Sequence, residues 1–336
     1  MNLLPSDRTG MSDPRSVPAS LQVKVVRKSV EAADICSFEF VHPDGEALPP
    51  FTPGSHIVVD VADGLSRAYS LCNDASQSHS YVIAVLRDPA TRGGSAAMHD
   101  RLQPGSLVRI SAPRNHFPLQ QDAPFSLLLA GGIGVTPLIG MAGHLAAANA
   151  PFEMHYCTRS PERTAFRERI AASSFGGQVH LHFDSGPAAQ RLDVEGALAG
   201  CPANAHVYVC GPAGFIGAMT AAARALGWPD ERIHVESFTG PAAGGDAGDA
   251  FEVQLAGSGR VIAVPAGKTV VQALAEAGMK VDTSCEQGVC GVCLTGVLAG
   301  TPDHRDMFLT DEEHARNDQF TPCCSRARSP RLVLDL

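Results

Sequence analysis

Ser126-Leu127-Leu128-Leu129-Ala130-Gly131-Gly132-Ile133-Gly134-Val135-Thr136-Pro137 is the stretch on which the fold turns. Ser126 to Ala130 is a nearly unbroken apolar run, as a strand buried on both faces requires. Glycines crowd the turn after it, and an Ala-rich segment, Pro137 to Ala148, has helical composition. A buried strand, a glycine turn and a helix open a doubly wound α/β domain. The rhythm continues C-terminally with predicted strands Phe152–Cys157, Val179–Phe183 and His206–Cys210, then a helix over Ala213–Leu226. The domain is expected over residues 125–237.

N-terminal to this stretch the pattern is different. Leu21–Val26, Ile35–Phe40, His56–Val61, Tyr81–Leu86 and Leu107–Ile110 read as short strands. Turn signals such as Pro43-Asp44-Gly45, Pro53-Gly54 and Pro104-Gly105 separate them. Evenly spaced strands of this kind predict an antiparallel β-barrel over residues 21–118. Residues 1–20 are polar and are expected to form a disordered tail. On the C-terminal side, residues 238–250 (FTGPAAGGDAGDA) have the composition of a flexible linker. Residues 251–336 then offer a hairpin around Gly257-Ser258-Gly259, a helix over Thr269–Ala277 and a final strand from Arg331.

Composition limits the function. The 336 residues are too many for one small core and imply several domains. Lys and Arg number 26 against 35 Asp and Glu, a net charge of −9, which argues against nucleic-acid binding. The longest apolar stretch, Phe125 to Val135, is too short for a bilayer and is broken by glycine. Residues 1–20 lack the pattern of a signal peptide, so a cytoplasmic location is expected.

Ten cysteines are present. Cys285, Cys290 and Cys293 form C-x4-C-x2-C, and Cys323-Cys324 follows about thirty residues on. In a cytosolic chain such a group implies metal before disulfides. The spacing is the plant-type arrangement for one [2Fe–2S] cluster. Zinc is the alternative, but structural zinc favours two C-x2-C knuckles, and only one is present. Gly288 and Gly291 suit a loop folded tightly about a small cofactor.

Two further patterns suggest nucleotide cofactors. Arg67-Ala68-Tyr69-Ser70-Leu71, expected just after a strand, combines an aromatic face, a hydroxyl and a guanidinium, which suits a flavin. Val85-Leu86-Arg87 and Gly93-Gly94-Ser95-Ala96 follow, the latter at a helix start that would cradle a phosphate. The Gly131, Gly132 and Gly134 turn lets backbone approach a pyrophosphate. His304, His314 and Asp311-Glu312-Glu313 read as solvated loop and helix surface, and the 13 histidines show no metal spacing.

Taken in order, these motifs resemble the phthalate dioxygenase reductase family within the ferredoxin–NADP reductase superfamily. The resemblance rests on R-x-Y-S at Arg67–Ser70, G-G-S at Gly93–Ser95, and G-G-x-G-x-T-P at Gly131–Pro137. C-G-P at Cys210-Gly211-Pro212 and C-C-S-R-A at Cys323–Ala327 complete it. It implies a multidomain chain: a flavin β-barrel, an NAD-binding α/β domain and a β-grasp ferredoxin domain. It further implies FMN held by Arg67, Ala68, Tyr69, Ser70, Val85, Leu86, Arg87, Gly93, Gly94, Ser95, Ala96, Thr136 and Phe238. NADH would meet Gly131, Gly132, Gly134, Thr136, Pro137, Thr158, Arg159, Ser160, Cys210, Gly211 and Pro212. Ser70 and Cys210 would sit at the reacting rings, and Cys323 would be the fourth cluster ligand after Cys285, Cys290 and Cys293. Some relatives carry an Asp where this chain has Ser160, so the preference for NADH over NADPH is less sharply marked. The implied function is an NADH-dependent reductase that feeds a Rieske non-haem iron oxygenase, acting as a monomer. A stand-alone flavin reductase for small acceptors and a redox sensor are the alternatives.

Overall fold

The computed structural model describes residues 20–336 except 63–64, 78, 90–92, 239–247, 284–285, 287, 289–290 and 307. The expected tail thus lies outside the described residues, save Ser20, which opens a strand. Most of the expected linker lies outside them too.

Seven antiparallel strands form the first sheet: β1 (Ser20–Ala32), β2 (Ile35–Val41), β3 (Ser55–Ala62), β4 (Leu65–Ser70), β5 (Tyr81–Leu86), β6 (Leu107–Ser111) and β7 (Arg114–Asn115). Their order is β4-β3-β6-β1-β2-β5, with β7 beside β3. The edge strands β4 and β5 approach each other and close the barrel. Alternation along the strands sends Val23, Val25, Phe38, Phe40, Ile57, Val59 and Ile83 inward. Helix α1 (Gly94–Arg101) plugs the barrel with Met98.

The second sheet is wholly parallel: β8 (Ser126–Gly131), β9 (Phe152–Thr158), β10 (Val179–Phe183), β11 (His206–Cys210) and β12 (Ile233–Glu236). Every residue of β8 is buried, as its apolar run demands. The helices are α2 (Val135–Ala147), α3 (Arg167–Ala172), α4 (Val194–Ala199) and α5 (Ala213–Ala225). Helix α2 starts two residues before the expected Pro137. The order β10-β9-β8-β11-β12 reverses direction between β8 and β11. In open α/β sheets, ligands bind at the C-terminal strand ends of such a reversal.

The third sheet comes from β13 (Phe251–Leu255), β14 (Val261–Val264), β15 (Thr295–Ala299), β17 (Gln319–Phe320) and β19 (Arg331–Leu334). Its order is β14-β13-β19-β15-β17. Strands β13 and β19 are parallel, and the other pairs are antiparallel. Helix α6 (Val270–Glu276) packs Val270, Ala273 and Leu274 onto this sheet, the β-grasp arrangement. A capping box of Thr269 and Gln272 starts α6, and one of Thr310 and Glu313 starts α7 (Asp311–Arg316). A two-strand ladder, β16 (Pro302–Asp303) with β18 (Arg326–Ala327), ties down the C-terminal loops.

Candidate active site and metal centre

Arg67, Ala68, Tyr69 and Ser70 lie on β4 itself, not after a strand as the sequence suggested. They pair with Val59, Val58, Ile57 and His56 of β3. The Arg67 side chain lies against Gly94 at the start of α1, so the two flavin motifs converge. The Tyr69 hydroxyl is buried and has no hydrogen-bond partner among the described residues. Such an orphan calls for an explanation, and a bound polar ring system supplies one. Ser95 accepts a hydrogen bond from the Asp88 amide at 3.1 Å and shapes the turn after β5. Val85 is buried within the barrel. Arg87 is held bidentately by Asp100 of α1, at 2.6 and 3.0 Å.

Across a seam from Ser70 lie the ends of β11 and β12. Cys210 and Glu236 are register partners there. The Ser70 hydroxyl donates to Glu236 Oε2 at 3.2 Å, linking barrel to parallel sheet. Burial pushes the Glu236 carboxyl up to about 8, with the Ser70 bond opposing. Burial, with the Glu236 charge adding, also pushes the Cys210 thiol well up, so it stays protonated.

Beside this pair stands the glycine turn. A Cβ on Gly134 would lie 2.3 Å from the Cys210 carbonyl oxygen, so only glycine lets the two loops meet. Thr136 is buried, its hydroxyl donating to the Ile133 carbonyl at 3.1 Å. The β8/β11 reversal therefore brings Gly131, Gly134, Cys210, Gly211 and Pro212 together. The Thr158 and Thr164 hydroxyls share a hydrogen bond of 2.7 Å, and the hydroxyl that accepts it is left free to donate to the Ser160 carbonyl, 3.3 Å from Thr158 and 2.9 Å from Thr164. These groups hold the loop after β9, and Arg159 is exposed there. Arg163 pairs with Asp34 of the barrel at 3.6 Å. Phe238 is exposed, at 39%.

Of the cluster cysteines, Cys285 and Cys290 lie outside the described residues. Cys293 and Cys323 are both buried, and none of the eight described cysteines is in a disulfide. Cys324 is partly exposed, and its Sγ lies against Gly288. Gly291 has φ +70°, and a Cβ there would fall 2.1 Å from the Phe308 ring. Buried thiols behind a loop with no room for a side chain at Gly288 or Gly291 suit an iron–sulfur group. Arg326 is 5% exposed and donates to the carbonyls of Lys268, Asp249 and Pro265. It thereby anchors β18, which follows the turn that holds Cys323 and Cys324.

Comparison with known proteins agrees with this geometry. A protein-family model described as a 2Fe-2S iron-sulfur cluster binding domain matches residues 253–328. Vanillate O-demethylase oxidoreductase of Pseudomonas sp. is 50% identical over 94% of this chain and 100% of its own length. Phthalate dioxygenase reductase of Burkholderia cepacia is 39% identical over 94% and 97%. This chain belongs to the phthalate dioxygenase reductase family. A solved phthalate dioxygenase reductase, described as a modular structure for electron transfer from pyridine nucleotides to [2Fe-2S], superposes with a TM-score of 0.69. It is 39% identical and covers 94% of this chain and 98% of that one. The chain is accordingly an oxidoreductase with a flavin barrel, a nucleotide-binding α/β unit and a ferredoxin unit. No described helix is long and apolar enough to cross a membrane.

Two features of the site escaped the sequence reading. Glu236 stood in a stretch valued only for its aromatic, Phe238. The available signal was a carboxylate at the C-terminal end of a short strand, Ile233-His234-Val235-Glu236. His304 and His314, expected at the solvated surface, are drawn in: their side chains are 10% and 24% exposed. They stack at 4.3 Å beside a fully buried Asp306.

Proposed function

We propose that this chain is the NADH-dependent reductase of a Rieske non-haem iron oxygenase system, with FMN in the barrel and one [2Fe–2S] cluster at Cys285, Cys290, Cys293 and Cys323. One observation carries the order of the relay. The barrel touches both neighbours, through Ser70 to Glu236 on one side and Arg114 to Phe308 on the other. The Phe308 ring in turn covers Gly291 of the cysteine loop. Bound in this frame, the cofactors supply the redox chemistry that turns a two-electron donor into single electrons.

The division into units at 21–118, 125–237 and 251–336 belongs to the same reading. In it, Tyr69 covers the flavin and Arg67 with the Gly93–Ala96 turn holds its phosphate. No separate adenine site is evident in the sequence, which favours FMN over FAD. The Gly131–Pro137 turn and Cys210-Gly211-Pro212 bracket the nicotinamide nucleotide. Ser70, oriented by Glu236, and the neutral Cys210 thiol line the place where the two rings meet. The Arg163–Asp34 pair engages a cation that would otherwise favour a 2′-phosphate, which supports NADH. The aromatic substrate class belongs to the oxygenase.

The test is anaerobic reduction. NADH should bleach the flavin and raise the EPR signal of a reduced plant-type cluster, and acid should release FMN. NADPH at equal concentration should act more slowly. Flavin bleaching with no cluster signal would refute the relay and favour a reductase for small acceptors.

A further inference from the structure

We propose that His304, Asp306 and His314 form a binding site for a divalent transition-metal ion of the zinc type, separate from the iron–sulfur cysteines. The three side chains offer two imidazole nitrogens and a carboxylate oxygen, all within 4.8 Å of one another. Asp306 Oδ1 lies 3.3 Å from His314 Nε2 and 3.7 Å from His304 Nδ1. Ligand atoms at bonds of ~2.0–2.1 Å around a tetrahedral ion stand about 3.3–3.4 Å apart. The two separations from Asp306 need at most a few tenths of an ångström of closure, and the two ring nitrogens start within 4.8 Å of each other.

The carboxylate is already aimed. Asp306 is fully buried, and its Oδ2 accepts the backbone amides of Phe308 and Leu309 at 3.2 and 2.8 Å. Oδ1 is turned toward the imidazoles, with the Ser325 hydroxyl donating to it at 3.3 Å. Outer partners of this kind fix the orientation of a metal ligand. The two rings come from different places: His304 from the loop after β16, His314 from α7. The capping box at Thr310 holds that helix start in place.

His304 supplies the independent signal. Its side chain is 10% exposed, and neither ring nitrogen has a hydrogen-bond partner among the described residues. The Asn317 side chain approaches it without forming a hydrogen bond of normal geometry. An imidazole buried without partners carries an uncompensated desolvation cost. An ion accepting one lone pair from each ring and one from Oδ1 gives His304 a partner at one of its two nitrogens. Two nitrogens and one oxygen favour zinc and its neighbours over magnesium or calcium, which take oxygen ligands. Three protein ligands leave a fourth position for water.

The experiment uses the full-length holoprotein with iron and flavin quantified, stripped of adventitious metal and dialysed against zinc chloride. Wild type should retain one zinc per chain beyond its iron. His304→Gln and His314→Gln should each bind zinc at least tenfold more weakly, with flavin and cluster absorbance unchanged. Cys324→Ser should retain zinc, which separates this site from the nearby thiol. Failure of wild type to hold zinc would overturn the proposal. So would equal retention in both histidine variants, or loss confined to Cys324→Ser.

Discussion

The carboxyl of Glu236 is buried and, among the described residues, is bonded by one hydroxyl, that of Ser70. Its proton is therefore retained to about pH 8 in the folded protein, against an ordinary value near 4.3 in the unfolded chain. Between those values the folded state binds a proton that the unfolded state lacks. The stabilising protonated form is fully available below about 4.3 and is lost as pH rises through 8. Stability should fall by up to ~1.4 kcal/mol per pH unit across that window. Glu236→Gln should flatten this slope, read as thermal midpoints from pH 5 to 9. Parallel slopes for variant and wild type would show that Glu236 is not the group responsible. A second residue-scale prediction separates the adjacent thiols. Cys323→Ser should lose iron and cluster absorbance while Cys324→Ser keeps both, measured by iron content and visible spectra. The thirty-residue spacing from Cys293 favours Cys323, and it is the more deeply buried. Loss in the Cys324 variant instead would move the fourth ligand by one position.

At the scale of elements, the strength of the local signal decided what could be read. Strand β8 was legible because six consecutive buried positions leave a continuous apolar run. The barrel strands were legible through alternation and turn residues. Helices α3 and α4 were not, since six residues each give less than two turns of periodicity. Strand β4 was missed because Ser66, Arg67 and Ser70 leave it no apolar alternation, although Leu65 and Tyr69 pack against the barrel core. The inward placement of His304 and His314 was invisible for another reason. It depends on a loop folding back onto α7, a contact with no period to reveal it. The glycine turn was read as letting backbone approach a pyrophosphate; the neighbour the structure shows against Gly134 is the Cys210 carbonyl. A methyl on Gly134 would press backbone against backbone, which no rotamer change relieves. Gly134→Ala should therefore push β8 and β11 apart at their ligand ends. The expected result is a KM for NADH raised at least tenfold with flavin content intact. An unchanged KM would place the nucleotide elsewhere.

Across the whole molecule, the cores divide unevenly. Ile35, Cys72, Ala84 and Phe117 from the barrel side join Leu128, Val135, Leu138 and Tyr156 in one continuous cluster. Phe251, Val253, Leu274, Phe320 and Leu332 form another that takes nothing from the first 250 residues. The barrel and parallel sheet thus fold as one body, and the ferredoxin unit has its own core. Between the two bodies, Arg114 stacks over Phe308 at 4.1 Å, a contact of modest strength when partly exposed. A chain ending at residue 245 should consequently fold and bind flavin. NADH should bleach that flavin at near the full-length rate, because Ser70, Cys210, Glu236 and the glycine turn are all retained. Reduction of a Rieske oxygenase should collapse, because the one-electron exit is gone. Residues 251–336 carry 8 Lys and Arg against 11 Asp and Glu, a net of −3. With the full-length chain, added salt should therefore slow transfer to a partner with a basic docking face. Stopped-flow flavin bleaching and oxygenase-coupled turnover measure the two halves separately. Undiminished coupled turnover by the shortened chain would remove the cluster from the route, whatever its effect on flavin reduction.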